Sequence, residues 1–140
     1  MPSTLPDLWP EFVTNIDVLT PLAILRFQAG QLRAKTKGLI EAEVRTEREN
    51  ASVTHELILI APALDRYEYV VANFNHDAVL VYPVNVSSRF CQGSKWCDSQ
   101  DKLLNTVSEI LSDAGLRAVI SSLIAQSRDI TDKASLAGLE

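Results

Sequence analysis

Few residues in this chain have the types and spacing to do chemistry. Cys91 and Cys97 have five residues between them, and His55 and His76 are the two histidines. Zinc sites use closer cysteine spacing and four ligands. His55 falls in an apolar run that reads as strand, and His76 falls in a turn, so no metal and no cofactor are expected. A disulfide would suit a loop of this size but not a reducing compartment, and the reading is two reduced cysteines. The one catalytic arrangement in view is a Cys91 or Cys97 nucleophile with His76 as its base, which requires hydrogen-bond contact between them.

The acidic and glycine-containing stretches offer less. Glu41 and Glu43 point the same way from an alternating run and serve as solubilising charges unless one is desolvated. Gly93-Ser94-Lys95 lacks the preceding glycine and following hydroxyl of a phosphate loop, and no G-x-S-x-G elbow occurs.

Two clusters point to binding rather than catalysis. Arg26, Arg33, Lys35 and Lys37 fall in a stretch with no acid between Val18 and Ile40. They suit an acidic partner or a phosphate, and equally a solvated helix face whose last-turn cations favour the helix dipole. Arg89, Phe90, Lys95 and Trp96 place cations beside aromatics, the types favoured at binding hot spots. A tryptophan in a crossover loop also plugs the end of a core.

These residues are positioned by elements that organise around Val53–Val86. Three apolar runs, Val53–Ala61, Tyr67–Phe74 and Ala78–Val86, read as strands. Leu39–Glu47 alternates, with Ile40, Ala42 and Val44 on one side and Glu41, Glu43 and Arg45 on the other, as a strand with one wet face does. Pro83 cannot donate to a ladder, which marks the last strand as an edge. Asn75-His76-Asp77 is the tight turn before it. Thr20 caps a helix over about 21–37 with Pro21 in its first position and Gly38 beyond its end. Asp98 or Ser99 caps a second helix. Leu116, Val119, Ile120, Leu123 and Ile124 make the stripe of a third, ending near Ser127.

The expected fold is a single α+β domain over residues 1–140. It is a four-stranded antiparallel meander, order 1-2-3-4, preceded by one helix and followed by a helical pair. Residues 1–15 form an arm in which Pro2, Pro6 and Pro10 rule out a long helix, and Leu8, Trp9, Phe12 and Val13 are available to dock. Residues 128–140 form a polar tail, disordered or turned into a short helix from about Thr131.

The net charge is −5, which argues against a general nucleic-acid binder. No apolar run approaches the ~18 residues of a membrane span, and the N-terminus lacks the basic start and apolar core of a signal peptide, so a cytoplasmic location is expected. The leading functional expectation is a non-catalytic protein-interaction module of regulator, chaperone or toxin-neutralising type, with a protein partner. The alternatives are a small enzyme using Cys91/Cys97 with His76, and an anion or nucleic-acid binder through the basic helix and Trp96. Leu57 and Leu59 face one side of the sheet and Ile58 and Ile60 the other, so both sides need cover. A two-fold homodimer burying the spare face is expected, unless the arm and tail cover it within one chain.

Overall fold

The computed structural model describes residues 4–14 and 18–138, with side chains described through residue 132. Residues 1–3 and 15 of the expected arm, and the last two of the tail, lie outside the described residues. Helix α1 (Pro21–Lys35) begins where Thr20 Oγ1 accepts a hydrogen bond from the Ala23 N–H at 3.2 Å. It ends at Thr36, whose buried hydroxyl accepts from the Ile40 N–H at 3.1 Å and donates to the Ile40 carbonyl at 2.9 Å. Lys37 (φ 54°) and Gly38 (φ 81°) turn the chain through the left-handed region between these anchors. That clamp delivers the backbone into the sheet.

The sheet is antiparallel and has five strands in the order β1-β2-β3-β4-β5: β1 (Glu41–Glu49), β2 (Ser52–Ala61), β3 (Tyr67–Asp77), β4 (Val84–Ser87) and β5 (Ser94–Cys97). The extra strand and the shape of the third hairpin depart from expectation. His76 is not in a turn: β3 continues through it to Asp77, and His76 pairs with Val53. The connection is Ala78–Pro83, so only the last part of the third apolar run is strand. Pro83 precedes β4 instead of sitting in it, and needs no ladder hydrogen bond. β4 is therefore interior, and β5, from the stretch read as loop, takes the edge.

A bulge changes which side chains face the core. Leu57 pairs with Ala72, the next residue Ile58 pairs with Val70, and Val71 is left over. An extra residue of this kind breaks strict alternation. Val71, Ala72 and Phe74 all join one core cluster with Leu57, Leu59 and Ala61. The same cluster takes in Ile24 and Leu25 of α1, Leu103, Val107 and Ile110 of helix α2 (Gln100–Leu111), and Leu116 and Leu123 of helix α3 (Ala114–Gly138). All three helices thus pack against one side of the sheet.

The opposite side is closed without helices. Ile58 and Ile60 are each 2% exposed. Arg45 on β1 pairs in register with Glu56, yet its guanidinium forks onto the Glu68 carboxylate on β3 at 2.8 and 2.5 Å and also donates to Glu43. Glu68 stands opposite Ile60, so this path crosses β2 over Ile58. Long charged side chains cover apolar surface with their stems while the heads stay wet. Ile58 and Ile60 are thus covered within the chain, while Val70, paired with Ile58, stays 45% exposed on the same side.

Helix α3 also departs from expectation. Asp113 Oδ2 caps it by accepting from the Gly115 and Leu116 N–H groups at 2.8 and 3.4 Å. It does not stop near Ser127, because the tail contains neither proline nor an interior glycine before Gly138, and nothing in it breaks a helix. Among the described residues, no helix is long and apolar enough to cross a membrane.

Candidate interaction site

The basic helix residues do not gather into one site. Arg26, Arg33, Lys35 and Lys37 are all exposed. Arg26 and Arg33 line a shallow cleft against β1, where Glu41 and Glu43 also stand, and Arg33 Nε lies 3.8 Å from Glu41. Glu41 thus faces Arg33, while Glu43 is held by Arg45. Lys35 lines a different hollow, between α1 and α3, with Leu32 and Ile120, and Lys37 sits in the turn beyond the helix.

The second cluster is also dispersed. Arg89 stacks over the Tyr69 ring at 5.7 Å from its centroid, and Phe90 packs against the core cluster with its ring 6.4 Å from that of Tyr69. Lys95 forms an ion pair with Glu109 of α2, which raises its pKa and fixes it on the helix side of the sheet. Neighbouring strand residues point to opposite faces, so Trp96 stands on the other side, opposite Asn85 and 68% exposed. One stretch of sequence thus yields an internal wedge, a stacked cation, an ion pair and an isolated aromatic.

Neither cysteine has the setting of a nucleophile. Both are buried free thiols. Cys91 Sγ lies 3.5 Å from the Gly93 carbonyl and 3.7 Å from that of Ser88, while Cys97 Sγ lies 3.4 Å from Thr106 Oγ1. Burial pushes the Cys91 thiol pKa up, away from the thiolate that reacts. Both ring nitrogens of His76 are engaged elsewhere, Nε2 with His55 Nε2 at 2.9 Å and Nδ1 with the Asp77 carbonyl at 2.8 Å. His55 is buried and its pKa falls to about 4, chiefly through desolvation and then through His76, Arg48 and Arg26.

The largest unexplained feature is the arm. Residues 4–14 carry no regular structure. Leu5, Leu8, Trp9, Phe12 and Val13 are all exposed, Trp9 at 76% and Phe12 at 64%. They do not dock on the body as the sequence suggested. Leu8, Trp9, Phe12 and Val13 recur at helical spacing, which places these four on one face if the segment from Leu8 becomes helical. Asp7 Oδ1 already accepts from the Trp9 N–H at 3.0 Å, the bond of a helix N-cap to its second residue. With Asp7 as cap, Pro10 falls in the first turn, where the N–H groups have no intrahelical partner. A helix this short does not persist alone in water. This spacing is present in the sequence between and beyond Pro6 and Pro10.

The root of the arm adjoins a second exposed apolar element. Tyr82 donates from its hydroxyl to the Leu19 carbonyl at 2.9 Å, and the Leu19 N–H donates to Gln100 Oε1 at 3.0 Å. This places the Ala78–Pro83 connection beside Leu19. Val79 and Leu80 are exposed in that connection, with their N–H groups donating to Asp77 Oδ1 at 2.8 and 3.1 Å. Those two bonds hold the Asp77 carboxyl below its ordinary range. Val18, Leu19, Val79 and Leu80 are each exposed, and the Tyr82–Leu19 hydrogen bond ties their two segments together. Compared with known family models, curated proteins and solved structures, the chain finds no match.

Proposed function

We propose that this chain is a non-catalytic protein-interaction module whose arm folds into a short helix from Leu8 within an apolar groove of a partner protein. The observation that carries this reading is four large apolar side chains, Leu8, Trp9, Phe12 and Val13, all exposed and at helical spacing behind an Asp7 cap, with Leu5 exposed just before it. Helix-in-groove recognition uses anchors at these intervals, and a segment that folds on binding combines low free-state order with a large contact surface. Asp7 and Glu11 flank the anchors, so the matching groove has lysine or arginine at its rim. Exposed Val18 and Leu19, where the chain enters the body, extend the contact. Buried free thiols suit a reducing compartment, and the cytoplasm is proposed as the location.

Among the described residues, the enzyme alternative finds no cysteine in hydrogen-bond contact with a histidine, and the polyanion alternative finds Arg26, Arg33, Lys35 and Lys37 spread over separate surfaces. The test is recovery of the full chain from its native host, as wild type and as a Trp9→Ala/Phe12→Ala variant. The module reading expects a protein partner in near-stoichiometric amount with the wild type and its loss with the variant, at unchanged circular dichroism. A partner retained equally by both chains would refute the arm as the docking element.

A further inference from the structure

His55 and His76 lie on neighbouring strands, offset by two residues: His55 pairs with Phe74, and His76 pairs with Val53. Their Nε2 atoms face each other at 2.9 Å. Each remaining ring nitrogen has its own partner, His55 Nδ1 with Thr46 Oγ1 and His76 Nδ1 with the Asp77 carbonyl, both at 2.8 Å. A carbonyl only accepts, so His76 carries hydrogen on Nδ1. In the neutral ring its Nε2 is then a bare lone pair. With both rings neutral, His55 donates from Nε2, and the Thr46 hydroxyl donates to His55 Nδ1. A hydroxyl also accepts. The His55 hydrogen can therefore move to Nδ1 and be given to Thr46 with no net loss of a proton. Both Nε2 lone pairs then converge on one point, with both Nδ1 atoms anchored from outside. Anchoring of this kind orients metal-bound imidazoles.

We propose that His55 and His76 form a two-imidazole site for a late first-row divalent metal ion, Zn2+, Ni2+ or Cu2+, completed by water or an incoming ligand. Two imidazole nitrogens on a tetrahedral ion stand about 3.3 Å apart, so the pair must open by about 0.4 Å. His55 is buried and fixed, and half-buried His76, at the end of β3, supplies that movement. Among the described residues no third histidine, cysteine or acidic side chain joins the pair, so any further ligand comes from water or an incoming molecule. The cationic side chains near His55 are Arg26 of α1 and Arg48 of β1. The arginines oppose any cation, which disfavours ions held by charge alone, such as Mg2+ and Ca2+. It leaves those that bond strongly to nitrogen.

The test is calorimetric titration of the full chain with Zn2+ and Ni2+, together with Cu2+ broadening of the histidine ring signals in NMR spectra. The expected result is one ion per chain, Cu2+ broadening centred on the His55 and His76 rings, and no response to Mg2+. His76→Ala, at a half-buried position, should weaken binding at least tenfold, and Thr46→Val about tenfold through loss of the outer anchor. Circular dichroism establishes that both variants are folded. No binding at millimolar metal, or binding indifferent to His76→Ala, would overturn the site.

Discussion

At the scale of single residues, His55 sets a pH dependence that can be worked out in sign. The unfolded chain takes up a proton on this ring near pH 6.5, whereas the folded chain resists until about pH 4. The folded state is thus favoured fully above about 6.5, progressively less as the pH falls toward 4, and by nothing further from this ring below that. The whole shift corresponds to up to about 3 kcal/mol. Urea unfolding at pH 7 and pH 4.5 should show a steeper loss in wild type than in His55→Gln, and equal losses would contradict it. The cysteines give a second residue-scale test. Both should react with iodoacetamide far more slowly than free cysteine while the chain is folded, and rapidly once it is unfolded. Rapid reaction of either in the folded state would contradict the burial argument. That the two thiols stand unbonded to each other agrees with the expectation drawn from their sequence. The His55–His76 contact was not legible there, because His76 read as a turn residue. Only the continuation of β3 to Asp77 brings the two rings side by side.

At the scale of elements, the helices were legible because their signals are local. Thr20-Pro21, the Ser99 cap and the Leu116–Ile124 stripe each act within a few residues of themselves. The sheet was legible in its meander order but not in its details, and each miss has a non-local cause. The bulge at Val71 depends on pairing with β2. The β5 edge depends on Ser94–Cys97 finding β4 across Gly93, whose φ of 78° turns the chain. The cover over Ile58 depends on Arg45 reaching two strands away. Arg45→Lys should not replace that cover, since a lysine cannot fork onto a carboxylate. Arg45→Ala should uncover Ile58 and promote self-association at micromolar concentration, read by sedimentation. A variant as monodisperse as wild type would show that other side chains close this face. Core packing makes a simpler prediction. Phe74 is fully buried among β2, β3 and the helices, and Phe74→Ala should cost about 3–5 kcal/mol in urea unfolding. A loss below about 1 kcal/mol would mean the site collapses around the deletion.

At the scale of the whole molecule, the body and the arm follow opposite rules. The body buries Leu57 and Leu59 under helices on one side of the sheet and Ile58 and Ile60 on the other, where the Arg45 stem crosses Ile58. The arm keeps five large apolar side chains in water. Such a contrast within one chain is what a docking segment requires, because apolar surface satisfied at home is not available to a partner. The central claim is that the arm is free in the isolated protein and ordered only in a complex. Hydrogen exchange of the residue 4–14 amides tests it most directly, measured on the isolated chain and on the complex recovered from the native host. The account predicts exchange close to that of an unfolded peptide in the isolated chain and strong protection from Trp9 to Val13 in the complex. Protection of those amides in the isolated chain at micromolar concentration would contradict it, since the arm would then already be seated on its own body or on a second copy.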